Sequence, residues 1–184
     1  VVGIVRDASK VDQDIRIIEK DIFEITSQDI CEFDVVINAF GSKGADPVVY
    51  QTSTKHLIDV FESCLNTRLI IVGGAGSLYT DSSLTQQVFE TPDFPPAIYP
   101  TSSNMAKALD MLKKSTIKWT FMTPAIYFDS KGPKTGEYQL GSEFVILNKA
   151  GKSYVSYLDY TIALLDEVEN QKFINKRFTV VSEN

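Results

Sequence analysis

Apolar residues fall along this chain in two kinds of run. Short unbroken ones occupy residues 1–5, 15–18, 34–38 (DVVIN), 69–72 (LIIV), 119–123 and 178–181. Their length is that of strands, and their lack of alternation marks strands buried on both faces of a parallel sheet. Between them lie patterns of helical period. Val49, Leu57, Val60, Phe61 and Cys64 follow Asp46-Pro47, a capping side chain with proline behind it, and Met105, Ala106, Leu109 and Leu112 follow Pro100. Ser156 with Asp159 opens a third helix over 157–169, and Thr26 with Asp29 caps a shorter one. A short helical stretch is expected over 84–89, and residues 144–147 and 154–156, joined by Asn148-Lys149-Ala150-Gly151, read as a hairpin. The prolines of TPDFPPAIYP, residues 91–100, exclude regular structure, and a loop of that length beside a ligand-binding edge is usually functional. Strand and helix alternate nearly throughout, which predicts an α/β chain with a Rossmann-like, doubly wound, mostly parallel sheet in a single domain over 1–184.

In such a sheet ligands bind beyond the carboxyl ends of the strands. Residues 69–79, LIIVGGAGSLY, run straight from a buried strand into glycines. Glycine admits φ > 0 and lets a ligand approach the main chain without meeting a Cβ, so 73–77 is a candidate ligand-facing loop. DVVIN likewise runs into Ala39-Phe40-Gly41-Ser42, and the first strand ends in Arg6-Asp7.

Charge and cysteine content narrow the functional classes. A net charge of −6 with no dense basic cluster opposes binding to nucleic acid or to anionic membrane surfaces, and no apolar run has the length of a membrane span. Cys31, Cys64 and the single histidine, His56, cannot supply a four-ligand zinc site, so no metal is expected and His56 is given no role. Two thiols do not make a disulfide framework; they are expected to be reduced and mostly buried, in a soluble cytoplasmic protein without a leader.

Taken in order, VVGIVRD, EKDIFE, DVVINAFG, LIIVGGAGSLY, YPTSSNMAK, WTFMTPA, KTGEYQLG and YLDYTIALLDEVE resemble the atypical short-chain dehydrogenase/reductase group that includes NmrA-like proteins and NADH-flavin reductases. The likeness covers nearly the whole chain. It implies one further strand, a G-x-x-G-x-x-G loop and a helix ahead of Val1, the loop holding a dinucleotide pyrophosphate at a helix amino terminus. This sequence contains no such unit and opens without methionine. In the order 3-2-1-4-5-6 the missing strand lies between those of residues 1–5 and 34–38. The expectation is that an additional amino-terminal unit, direct pairing of those two strands, or a strand from another chain fills the position. The 184 residues alone should bind NADPH poorly.

The resemblance also assigns roles. Arg6 would meet the adenosine ribose and pair with a 2′-phosphate, which favours NADP(H) over NAD(H). Asp21 and Ile22 would contact adenine; Ala39, Phe40 and Gly41 would pass beneath the adjoining ribose; Gly73 and Gly74 would lie nearer the nicotinamide; and Pro124 and Ala125 are further candidates to bind the cofactor. Classical members of that superfamily use a Tyr-x-x-x-Lys pair on a helix, where lysine holds the nicotinamide ribose and lowers the tyrosine pKa. Here that spacing reads Ser103 to Lys107, so lysine is present and tyrosine absent, and these two are the candidate catalytic residues. Tyr79, Tyr127, Phe128 and Tyr138 are candidates to stack on a planar substrate.

A reductase passing hydride from NAD(P)H to a flavin or another conjugated acceptor needs no strong enzymic acid and tolerates the loss of tyrosine. A non-enzymatic dinucleotide sensor of NmrA-like type, reporting to a protein partner, tolerates it equally. A carbonyl reductase does not.

Overall fold

The computed structural model describes residues 1–42, 44 and 46–183. The chain runs β1 (Val2–Val5), β2 (Arg16–Glu19), α1 (Ser27–Ile30), β3 (Val35–Asn38), α2 (Val49–Phe61), β4 (Arg68–Val72), α3 (Tyr99–Lys114), β5 (Lys118–Thr123), β6 (Tyr127–Asp129), β7 (Tyr138–Gly141), β8 (Tyr154–Ser156), α4 (Tyr157–Asn170) and β9 (Lys176–Ser182). Five strands form the main sheet in the order β3-β4-β5-β9-β7, parallel except for β7, which pairs antiparallel with β9.

The unbroken apolar runs work as expected because successive side chains leave opposite faces of a strand. Leu69 and Ile71 of β4 with Trp119 and Phe121 of β5 pack toward α2 and α3, together with Leu57, Phe61, Leu109 and Leu112. Ile70, Met122, Phe178 and Val180 face the other way, against Tyr160, Ala163 and Leu164 of α4. Two ion pairs made by buried arginines brace this sandwich. Arg68 Nη1 lies 2.6 Å from Glu167 Oε1, joining the start of β4 to α4. Arg177 of β9, whose side chain is wholly buried, lies 2.6 Å from Glu143. The Arg177 guanidinium also donates to the Ser77 carbonyl at 2.7 Å and the Glu143 carbonyl at 2.8 Å. Burial pulls the Arg177 pKa down, while the Glu143 carboxylate opposes that shift.

Several expectations are corrected. β1 and β2 form a parallel ladder of their own, separate from the main sheet, so direct pairing of β1 with β3 does not occur. Ile4 still packs against the first core cluster. The hairpin is also not formed. Its turn is present, with Asn148 Oδ1 accepting from the amides of Ala150 and Lys152 and Gly151 at φ +74. β8, however, pairs in parallel with β6, and Phe144 bridges Tyr79 instead. The helix expected over 84–89 shrinks to one 3-10 turn at Val88–Glu90, because Leu84 adopts φ 55, outside the helical region.

Cys31 and Cys64 are not free thiols. They form a disulfide with their Cα atoms 4.9 Å apart, joining the end of α1 to the turn after α2. Folding brings the two together because Ile30 and Phe61, both 1% exposed, enter the same cluster. Among the described residues no helix is long and apolar enough to cross a membrane, and no cluster of His, Cys, Asp and Glu could hold a metal.

Candidate functional site

Parallel pairing of β3, β4, β5 and β9 brings their carboxyl ends to one edge. There Asn38 faces Ile71, Val72 faces Met122, and Thr123 faces Thr179. β1 and β2 end in Arg6 and Asp21. The residues expected to hold a cofactor therefore follow strand ends, which is where a doubly wound sheet places its ligands.

On the side of β1 and β2, Arg6 is exposed and has no ion-pair partner among the described residues. Asp7 is committed elsewhere. Its carboxylate accepts from the Ser9 amide at 3.1 Å and the Ser9 hydroxyl at 2.6 Å, and pairs with Lys10 at 2.7 Å. The Lys10 ammonium, helped by Ser9, holds the Asp7 pKa down at about 2. Asp21 accepts from the Phe23 amide at 3.1 Å and caps the 3-10 turn Ile22–Glu24, whose Glu24 side chain accepts in return from the Asp21 amide. The Ile22 side chain packs on the first core cluster. Lys20 is tied to Asp29 at 2.7 Å, which fixes the end of β2 against α1.

After β3, the Asn38 side chain accepts from the Phe40 amide at 2.9 Å, and the Phe40 ring meets Tyr50 edge-on at 6.1 Å. Ala39 and Gly41 are exposed, and a Cβ built at Gly41 would meet nothing within 4 Å. Beneath this loop Asn38, Phe40, Tyr50, Val72 and Met105 line a cavity of about 10 Å³, the size of one water.

The 73–77 loop is built differently from its expectation. None of its glycines takes a positive φ. Each lacks a side chain because the protein itself stands in the way. A Cβ on Gly73 would strike the Phe121 ring, 2.8 Å from Cδ1; one on Gly74 would lie 2.8 Å from Met105 Sδ; and one on Gly76 would lie 2.6 Å from Ser102 Cβ. These glycines let the loop lie down on β5 and α3. Pro124 and Ala125, at the end of β5, are buried, and Ala125 belongs to the second core cluster.

On α3 the buried stripe is Ser102, Ala108, Leu109 and Leu112. At about 100° per residue, Ser103 and Lys107 share a face that lies roughly opposite this stripe. Lys107 is exposed, and the Ser103 hydroxyl donates to the Pro100 carbonyl at 3.2 Å. The pair lies on the side of α3 turned away from the packed core. The four stacking candidates do not converge. Tyr79 bridges Gln87 and Phe144, near the Arg177 guanidinium; Tyr127 leans on Tyr154; Phe128 packs between Tyr157 and Tyr160; and the Tyr138 hydroxyl bonds Asp166.

Three tyrosine hydroxyls are held against ionisation. Burial pushes the Tyr160 hydroxyl pKa far up while that hydroxyl donates to the Met122 carbonyl at 2.8 Å. Burial and Asp166 push Tyr138 up to about 12, and burial and Asp129 raise Tyr154.

The family model described as NAD(P)H-binding matches residues 1–156. The chain belongs to the NAD(P)H-binding family. It is 48% identical over 185 residues to the uncharacterized protein YwnB of Bacillus subtilis (strain 168), covering 100% of this chain and 87% of that one. Among solved structures, it resembles SP1627 of Streptococcus pneumoniae TIGR4, named as a candidate NADH-flavin reductase, with 39% identity, a TM-score of 0.88, and coverage of 99% of this chain and 87% of that one. It also resembles a candidate epimerase of Bacteroides thetaiotaomicron at 27% identity and TM-score 0.84, covering 100% and 86% of the two chains.

The residues present fit a nicotinamide dinucleotide in two respects. Arg6 is an unpaired guanidinium at a strand end, and Gly41 leaves open space over an exposed main chain.

Proposed function

We propose that this protein is an NAD(P)H-dependent reductase that delivers hydride to a flavin or similar conjugated acceptor, with NADP(H) preferred. The observation that carries the reading is the chemistry of the carboxyl edge. The side assigned here to the nicotinamide offers the main chain of Gly73 and Gly74 and the apolar Pro124 and Ala125, while Ser103 and Lys107 lie on the face of α3 opposite its buried stripe and the hydroxyls of Tyr138, Tyr154 and Tyr160 are held against ionisation. Such an edge suits an acceptor that solvent can protonate after reduction. The bound dinucleotide supplies the hydride, and the protein's part is orientation and exclusion of water. The likeness to SP1627 points the same way.

The cofactor preference rests on Arg6. With Asp7 held by Ser9 and Lys10, the carboxylate that would otherwise favour a ribose 2′-hydroxyl is occupied. In a chain that carries the amino-terminal glycine-loop unit implied by the resemblance, Arg6→Ala is expected to weaken NADPH binding by about tenfold or more and NADH binding little, since a charge-assisted hydrogen bond is worth about 1.5 to 3 kcal/mol. An equal loss for both would remove the NADP assignment. NADPH oxidation with free flavin, followed by absorbance, tests the reductase reading itself. Binding without turnover would return the protein to the sensor class.

A further inference from the structure

The segment 91–100 holds none of the candidate residues described above, yet together with Phe89 and Glu90 it builds an open groove. Phe89, Glu90, Thr91, Phe94, Pro96, Tyr99 and Pro100 line a groove of about 490 Å³. That volume is within the usual range for a small-molecule site. We propose that this groove is the acceptor subsite, taking the uncharged face of a planar conjugated ring such as a flavin isoalloxazine. The inference rests on the reductase reading and adds to it the place where the acceptor lies.

Three features of the groove carry it. Its position is at the correct end of the sheet: α3 crosses from β4 back to the parallel β5, so its first residues, Tyr99 and Pro100, stand at the carboxyl edge. Phe94 adjoins the loop after β4, its Cζ lying 3.3 Å from where a Cβ of Gly76 would be. The groove's walls are rings. Phe89 and Tyr99 meet edge-on at 5.5 Å, with Tyr99 48% exposed, and Pro96 and Pro100 add flat apolar faces. Its polar groups are spent internally: the Glu90 carboxylate accepts from the Gln87 amide at 2.7 Å, and the Thr91 hydroxyl donates to the Val88 carbonyl at 2.8 Å. Exposed ring faces with few free polar groups select a ligand by stacking. The aromatic residues first expected to do this, Tyr79, Tyr127, Phe128 and Tyr138, are scattered and engaged with the protein, whereas Phe94 and Tyr99 face a common space.

The test is NADPH oxidation by the full chain with riboflavin as acceptor, with riboflavin binding followed separately by fluorescence quenching. Phe94→Ala and Tyr99→Ala should each raise the riboflavin KM and Kd about fivefold to tenfold, the range expected for losing one stacked ring. NADPH affinity and the thermal midpoint should stay near wild type. Tyr99→Phe should keep wild-type KM, because it keeps the ring. If the wild type oxidises NADPH with riboflavin but neither alanine variant changes KM, the groove is not the acceptor site, and the reductase reading survives. If Tyr99→Phe fails as badly as Tyr99→Ala, a hydroxyl contact replaces stacking and the assignment is overturned. Should the wild type bind NADPH yet neither bind nor reduce riboflavin, the reductase reading falls and takes the subsite with it.

Discussion

β4 and β1 carry the same kind of apolar run but meet different fates. Leu69 and Ile70 of β4 are fully buried, whereas all four residues of β1 stay half-buried. β4 has a hydrogen-bonded neighbour on each side and helices over both faces. β1 has β2 alone, and Ile4 is its link to the first core cluster. An apolar run therefore reports that a strand exists, while its burial depends on how many partners the rest of the chain brings. The candidate site spans both conditions. Arg6 and Asp21 stand on the shallow pair, held by local caps and the Lys20–Asp29 bridge, while Gly73, Pro124 and Ala125 stand on the deep sheet.

The sharpest way to break the comparison is to truncate one side chain in each half. Phe121→Ala, in the deep sheet, should lower unfolding free energy by about 3 to 5 kcal/mol, and Ile4→Ala, in the shallow pair, by about 1 to 2 kcal/mol, as read from urea melts. Equal losses would mean that Ile4 is as deeply engaged in the first core cluster as Phe121. Next comes the disulfide, which closes a loop of 33 residues' separation containing β3 and α2. Reducing it should cost about 3 to 4 kcal/mol on the loop-entropy estimate, with Cys64→Ser showing no further effect of reductant. Gly73→Ala, forced against Phe121, should destabilise by about 1 to 3 kcal/mol, whereas Gly41→Ala, in open space, should leave the melt unchanged.

The smallest effect is the pH dependence contributed by one carboxylate of the shallow half. Lys20, with Thr26, holds the Asp29 pKa at about 2 against an ordinary 3.8. A carboxyl with a depressed folded pKa adds stability that is fully present above its unfolded value and lost as pH falls toward the folded one. Wild type should therefore lose this contribution between about pH 4 and pH 2. Asp29→Asn, measured by the same melts, should lack that component of the slope.

The parallel strands of the deep sheet were legible because each is an apolar run, and α2 through α4 because of their apolar periods; the expected side-chain cap is made at Ser156 of α4, whereas α2 starts at Val49 without one. Strands β6 and β7 were not: three or four residues such as Tyr127–Asp129 and Tyr138–Gly141 carry no period of their own and exist through partners far along the chain. The turn at Asn148 was read correctly from its chemistry, but local chemistry cannot reveal that β8 pairs with β6 and not with residues 144–147. Cys31 and Cys64 approach only because Ile30 and Phe61 share a cluster, which no spacing announces. For Ser103 and Lys107 a usable signal was present. A four-residue spacing shows that two side chains share a face, and Leu109 and Leu112 show which face is turned inward. Of the groove, the sequence disclosed only that the 91–100 loop is too long and too rich in proline to be an idle connection.

Arg177 has a further consequence, for motion. Its guanidinium joins β9 to the carbonyls of Ser77 and Glu143, and the Tyr79 amide donates to Glu143 while the Val145 amide donates back to Tyr79. The chain beyond the glycines is thereby fastened to the deepest strand at several points, so it cannot lift as a flap without exposing a buried charge. The amides of Tyr79 and Val145 should accordingly exchange with deuterium only through large openings of the molecule, in step with β9. Any breathing that admits a small molecule to this edge then falls to the proline-rich span ahead of α3, whose backbone is tethered mainly by its own short turns.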